Sequence, residues 1–249
     1  MFLNYYLFNK KKETIVENKT ICFIYSLNCK EYSDIKNTYL MDYHKNLKNI
    51  NEIDKIITIV DDKEVYNNFK INNYICELLE EDTNDIIYYI TKLILNKYNK
   101  NNNYSKIILI EAKNTSFSNK LDSSFKNNLN SLINDYNIKI QIDKKIVAST
   151  FYETGKDKNL INQNNIKLVL DKYNNILYAS HNFIPVDDTG KMLDNYDYKI
   201  HKNIFIFDYN YLKNYYYIYN VSLHKIQNIN WLKVLEQSFK ICCLEYEKC

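Results

Sequence analysis

Uninterrupted apolar runs of strand length recur through the first half of this chain: TICFIYS at 20–26, KIITIV at 55–60, the shorter YICEL at 74–78 and KIILIE at 106–111. A strand without polar alternation cannot turn one face to water, so each run must be covered on both sides. The intervening segments supply the cover. Residues 83–98 carry Ile86, Ile87, Ile90, Leu93, Ile94 and Tyr98, and residues 124–136 carry Phe125, Leu129, Leu132 and Ile133, the i, i+3, i+4 spacing of helices buried along one face. Strands joined by such helices predict an α/β fold, a mainly parallel sheet with helices on both faces.

The second half changes texture. Strand candidates follow closely at 139–142, 146–151, 166–171, 176–180 and 203–208, and the short polar segment 172–175 reads as a hairpin turn. Helices are expected over 209–217 and 229–239, the latter with Ile229, Leu232, Leu235 and Phe239 on one face, before a last strand KICCLE. Residues 99–105 and 154–165 are Asn- and Lys-rich loops, neither long enough nor rich enough in Pro or Gly to be a linker between domains. The expected organisation is an N-terminal extension over 1–18 and one domain over 19–249, with halves 19–137 and 138–249.

Composition narrows the chemistry. All 33 basic residues are lysine, against 30 acidic ones, and the interspersed charges leave no basic field of the kind nucleic-acid binding needs. Without arginine, any phosphate or carboxylate must be met by point charges rather than by bidentate guanidinium contacts. The two glycines, Gly155 and Gly190, are too far apart for a Gly-rich phosphate loop. Cysteines 22, 29, 76, 242, 243 and 249 contain no CxxC pair and share no ligand spacing with His44, His181, His201 or His224, so they read as reduced thiols rather than a metal site. No run of about 20 apolar residues is present to span a membrane. The opening MFLNYYLFNKKK places its apolar residues before its lysines, the reverse of a signal peptide. A cytoplasmic protein is expected, with an organelle reached through an eroded segment 1–18 as the alternative.

Residues 166–188 (IKLVLDKYNNILYASHNFIPVDD), 199–212 (KIHKNIFIFDYNYL) and 221–235 (VSLHKIQNINWLKVL) resemble the second half of 3-deoxy-manno-octulosonate cytidylyltransferase, or CMP-Kdo synthetase. Leu177, Tyr178, Ser180, Ile184, Pro185 and Asp187 match that family's LYFSR-x-PIP-x-D segment, and the chain's single proline falls on its IP position. His201, Ile204 and Leu212 match HIGIYAYR-x-x-FL, while Leu223, Ile226, Leu232 and Leu235 keep the frame of SPLE-x-x-E-x-LEQLR. In the first half Lys36 falls where the LPGK lysine sits, KIITIVDDKEV resembles RIIVATDDEEV with Asp61 on the family aspartate, and KIILIEAKN lies over VIVNVQGDEP.

The resemblance implies a nucleotidyltransferase-type, Rossmann-like fold with a β-rich insertion for the sugar site and dimerisation. It also implies transfer of CMP from CTP to Kdo with release of pyrophosphate, Mg²⁺ as cofactor, and a homodimer paired through the β-rich half, with Trp231 and the 215–217 tyrosines as interface or core. Lys36 and Asp61 are then the catalytic candidates, and Tyr178, Ser180, Asp187 and His201 the substrate-binding ones. Departures are as specific as the matches. Leu27 and Tyr32 replace two arginines, Lys113 stands on the metal aspartate, the base-contacting SGTDR shrinks to residues 82–85, His181 replaces the LYFSR arginine, His224 and Gln227 replace acids, and the chain ends before the family's late GVDTPEDL segment. An inactive relative serving as a binding or dimer-partner protein is the alternative implied.

Overall fold

The computed structural model describes residues 19–27, 33–80, 85–98, 104–112, 123–156, 165–193, 195–215 and 222–247. The chain runs β1 (Lys19–Ser26), α1 (Ser33–Leu47), β2 (Lys55–Val60), α2 (Lys63–Ile71), β3 (Cys76–Leu78), α3 (Ile86–Leu93) continued by a π turn (Ile94–Tyr98), and β4 (Tyr104–Glu111). It continues through α4 (Ser123–Ile142), β5 (Ile146–Gly155), β6 (Lys167–Leu170), β7 (Ile176–Ser180), β8 (Tyr198–Asp208), α5 (Tyr209–Tyr215), α6 (Ser222–Gln227), α7 (Leu232–Glu236) and β9 (Lys240–Glu245).

One nine-stranded sheet results, ordered β3-β2-β1-β4-β8-β5-β9, with β6 paired to β8 and to β7. β8 and β7 run against the other strands. The apolar runs divide as the pleat requires. Ile21, Phe23, Ile107 and Leu109 face a core closed by α3, α5, α7 and the β6–β7 hairpin. Cys22, Ile24, Ile108 and Ile110 face a second core under α1, α2 and α4. Helices therefore lie on both faces, as the lack of alternation demands.

The hairpin turn at 172–175 is present, with Asn174 at φ 61°, a conformation that asparagine tolerates, and Asp171 accepting from the Tyr173 and Asn175 amides. Two expectations are corrected. Residues 139–142 are the last turn of α4, not a strand: Ile138 and Ile142 are 61% and 80% exposed, so the Ile-Lys-Ile-Gln-Ile alternation reflects composition and no sheet. The helix expected over 229–239 is confined to Leu232–Glu236, because Ser238 enters the left-handed region (φ 61°) and the Phe239 amide closes back on the Val234 carbonyl. α4 also crosses the boundary at 137/138, and the β4–β8 pairing joins both halves in one sheet.

At the end of β2 the two adjacent aspartates have different roles. Asp62 caps α2, its Oδ1 accepting from the Glu64 and Val65 amides at 2.8 and 3.0 Å. Asp62→Ala is expected to cost about 1 kcal/mol in a urea unfolding titration.

Candidate active site at the carboxyl edge of the sheet

β1 has β2 on one flank and β4 on the other, so the strand order reverses there, the arrangement in which sheets of this kind leave a crevice beyond the carboxyl ends of the strands. In open α/β sheets such a switch point is where ligands bind. Tyr39 of α1 ties the two strand ends together: its hydroxyl lies 2.9 Å from Ser26 Oγ and 3.0 Å from the Ala112 carbonyl, while the Ala112 amide donates to the Tyr25 carbonyl at 2.8 Å. Burial, with the Glu111 charge added, pushes the Tyr25 phenol well above its ordinary pKa, so it stays protonated here. Asp61 follows Val60, the partner of Ser26, and so stands one strand from the crevice, half-buried. Lys36 lies within α1 and its side chain is outside the described residues, as are Lys113, Tyr32 and residues 82–84.

The sugar-site candidates gather at the same edge, on the start of β8 and the open end of the β6–β7 hairpin. His201 is buried, its Nε2 2.9 Å from Thr150 Oγ1 and its Nδ1 3.0 Å from Asn203 Oδ1. Its ring packs against Phe205 and Trp231 with centroids 4.8 and 5.2 Å away. Both ring nitrogens are thus engaged inside the chain. The sheet itself creates this arrangement: the β5–β8 register shifts between Thr150 and Phe151, and Thr150 Oγ1 fills the irregularity, 2.6 Å from the Ile204 carbonyl and 3.2 Å from that of Lys202. Ser180 is buried, donating to Gln227 Oε1 at 2.8 Å and accepting from the Asn182 amide at 3.0 Å. Tyr178 is half-buried on β7, opposite Val169.

Asp187 organises a turn. Its Oδ1 accepts from the Thr189 amide and hydroxyl and the Lys191 amide at 2.8–2.9 Å, which holds its carboxyl below the usual carboxylate range. Gly190, at φ +79°, supplies the left-handed step that the turn requires. Of the two readings open for them, interface or core, Trp231 and Tyr215 take the core one in this chain; Tyr216 and Tyr217 lie outside the described residues.

Three groups near this edge were invisible as partners in the sequence. Glu153 of β5 and Lys202 of β8 form a buried ion pair at 2.8 Å. Asp85 accepts from the Tyr88 amide at 3.1 Å through Oδ1, capping α3, and pairs through Oδ2 with Lys233 at 2.6 Å. Lys167 is fully buried, its Nζ donating to the Asn165 carbonyl at 2.7 Å and to the His181 carbonyl. The only available signal was a charged residue inside an otherwise apolar strand run.

Burial pushes the Lys167 ammonium down to about 8, against about 10.4 in an unfolded chain. Between these values the unfolded state holds a proton that the folded state has lost, so stability rises with pH over that window and gains nothing from this group below it. Buried Cys22, Cys242 and Cys243, held protonated in the fold, add an opposite slope common to both proteins, so chemical denaturation from pH 7 to 9.5 is expected to show wild type gaining stability relative to Lys167→Met as pH rises.

A resident Mg²⁺ held by protein alone needs several converging carboxylate or carbonyl oxygens. Among the described residues no three His, Cys, Asp or Glu side chains converge. Asp62, Asp85 and Glu153 are engaged as cap, cap with ion pair, and ion pair. The described residues thus form no all-protein cage, and Mg²⁺ is more often held by one or two carboxylates together with substrate phosphates. No helix among the described residues is long and apolar enough to cross a membrane.

No family model matches the chain. The 3-deoxy-manno-octulosonate cytidylyltransferase, mitochondrial, of Arabidopsis thaliana is 29% identical to it over 102 residues, 41% of this chain and 35% of that protein. The match thus spans about a third of the relative's length. Among solved structures, CMP:2-keto-3-deoxy-manno-octonic acid synthetase complexed with CTP superposes with a TM-score of 0.68 at 12% identity, covering 91% of this chain and 89% of the other. At that identity the superposition establishes the fold alone. The chain is thus similar to 3-deoxy-manno-octulosonate cytidylyltransferases, in sequence over 102 residues and in fold over most of its length.

Proposed function

We propose that the chain is a cytidylyltransferase-type protein that binds CTP in the crevice beyond β1 and β4 and transfers CMP to 3-deoxy-manno-octulosonate. The anomeric hydroxyl oxygen of the sugar acid attacks the α-phosphorus, the new O–P bond forms as the bond to the β-phosphate bridge breaks, and pyrophosphate leaves. The hydroxyl proton passes to solvent or to a carboxylate. The observation that carries this reading is the switch-point crevice, with Asp61 beside it, in a chain whose fold is that of a protein solved with CTP. Lys36 is assigned to the triphosphate and Asp61 to the reacting end, with Tyr178, Ser180, Asp187 and His201 on the sugar-acid side. Mg²⁺ is assigned to the nucleotide as its counter-ion, since the described carboxylates form no cage.

The pairing of edge charges with one another favours a second reading, a binding or dimer-partner protein without turnover. Pyrophosphate release from purified protein with Mg·CTP and Kdo separates the two. Release that needs both substrates and falls at least tenfold in Asp61→Ala supports the enzyme. CTP binding without release supports the second reading, and neither binding nor release from folded protein overturns both. A homodimer is proposed, and a clean 30.0 kDa monomer in sedimentation would reject it. The compartment proposed is the cytoplasm. The Arabidopsis relative is named mitochondrial, so a fluorescent fusion with and without residues 1–18 tests an organellar alternative.

A further inference from the structure

A fully buried ammonium is costly to remove from water, and an apolar side chain of similar length would fill the start of β6 without that cost. What Lys167 gains is position. Its two carbonyl partners, Asn165 and His181, are the chain's entry to β6 and its exit from β7, so one Nζ ties the open end of the hairpin together. His201 is held to the same point, its amide donating to the Ile166 carbonyl at 2.8 Å.

The loop 181–193 departs from that knot. It rests on a small core of its own, Tyr198 and Ile200 with Phe183, Met192 and Leu193, separate from the two main cores. Tyr198 is its other anchor, its hydroxyl donating to the Pro185 carbonyl at 3.0 Å and accepting from the Leu193 amide at 2.8 Å. Phe183 lies between the anchors, its ring centroid 5.5 Å from Lys167 Nζ and 6.4 Å from that of Tyr198. Further described contacts here are the Asn182 amide on Ser180 Oγ, the Asp187 turn, the pairing of Val186 with Met192, the Tyr198 amide on the Tyr196 carbonyl, and an exposed ion pair of Asp197 with Lys156 at 3.4 Å.

We propose that Lys167 is a positioning residue, which sets the departure of the loop 181–193 and thereby aligns Ser180 and Asp187 for the sugar-acid acceptor. The acceptor part rests on the function proposed above, whereas the loop part does not. Hydrogen exchange on the full chain tests the loop directly, using Lys167→Met and, should that variant fold poorly, Tyr198→Phe, which keeps the ring and removes the second anchor's hydroxyl.

In either variant exchange at 181–193 is expected to speed up at least tenfold, with β1, β2 and β4 unchanged and CTP affinity within twofold of wild type. In the pyrophosphate assay the KM for Kdo is expected to rise at least tenfold while kcat falls less than threefold. Unchanged exchange at 181–193 in a folded variant would overturn the proposal. So would an equal rise across β1, β2 and β4, or a loss of CTP affinity as large as that for Kdo, because these mean a general structural role. If wild type itself releases no pyrophosphate, the functional reading has failed and the exchange result alone decides the role of Lys167.

Discussion

Lys233→Met is expected to cost about 3–5 kcal/mol of folding stability, because it strands the Asp85 carboxylate in a largely buried setting. Asp85 cannot turn outward to regain water without giving up its cap on α3. The hydroxyl of Tyr215 lies 3.4 Å from the same carboxylate oxygen and donates to the Asn230 carbonyl at 3.1 Å, and the Lys233 ammonium sits 5.1 Å from that ring's centroid. The pair therefore ties α3 of the first half to α5 and α7 of the second. Urea unfolding of Lys233→Met, Asp85→Asn and the double variant measures the coupling. The double variant is expected to be more stable than Lys233→Met, since it removes the stranded charge. A loss below about 1 kcal/mol in Lys233→Met would mean that the pair behaves as a surface contact.

Lys202→Met is the second large effect, again about 3–5 kcal/mol, for the same physical reason at a different place. Glu153 and Lys202 lie on adjacent strands beside the β5–β8 irregularity, both side chains nearly inaccessible. Without the lysine, Glu153 folds most easily as the neutral acid, so its pKa in the folded variant must exceed its unfolded value of about 4.3. The folded variant then binds the extra proton, and its deficit against wild type shrinks as pH falls from 7 toward 5. Glu153→Gln in the same background is expected to remove that pH dependence. A deficit equal at pH 5 and pH 7 would contradict the account.

How far such features can be read in advance depends on their range. β1, β2 and β4 announce themselves because a strand buried on both faces leaves a local signature, an apolar run without polar positions. β8 begins at Tyr198, five residues before its apolar run at 203, because Lys199, Lys202 and Asn203 interrupt the pattern while pairing to β5 continues. α1 and α2 were missed although Leu40, Tyr43 and Leu47, and Val65 and Phe69, carry helical spacing. In a chain so rich in Asn, Lys and Tyr, that spacing is diluted by residues that neither favour nor forbid a helix.

The site was legible only by resemblance. The matched segments 177–187 and 201–212 fall on the β6–β7 hairpin and on β8 with α5. No local pattern could show that His201 would meet Thr150 across 51 residues, or that Lys233 would meet Asp85 across 148. Nor could spacing show that Asp187 would engage one carboxylate oxygen, Oδ1, in its own turn, although an Asp followed two and three residues later by Thr and Gly is the sequence form such turns take.

The central claim is that a cytidine nucleotide binds at the carboxyl edge of this sheet, and hydrogen exchange with and without Mg·CTP tests it most directly. Protection is expected at the ends of β1, β2 and β4, around residues 25–27, 60–62 and 110–112, with the amino-terminal ends of the same strands unchanged. Saturating Mg·CTP that leaves all three strand ends unprotected, or that protects only surfaces elsewhere, would contradict the account.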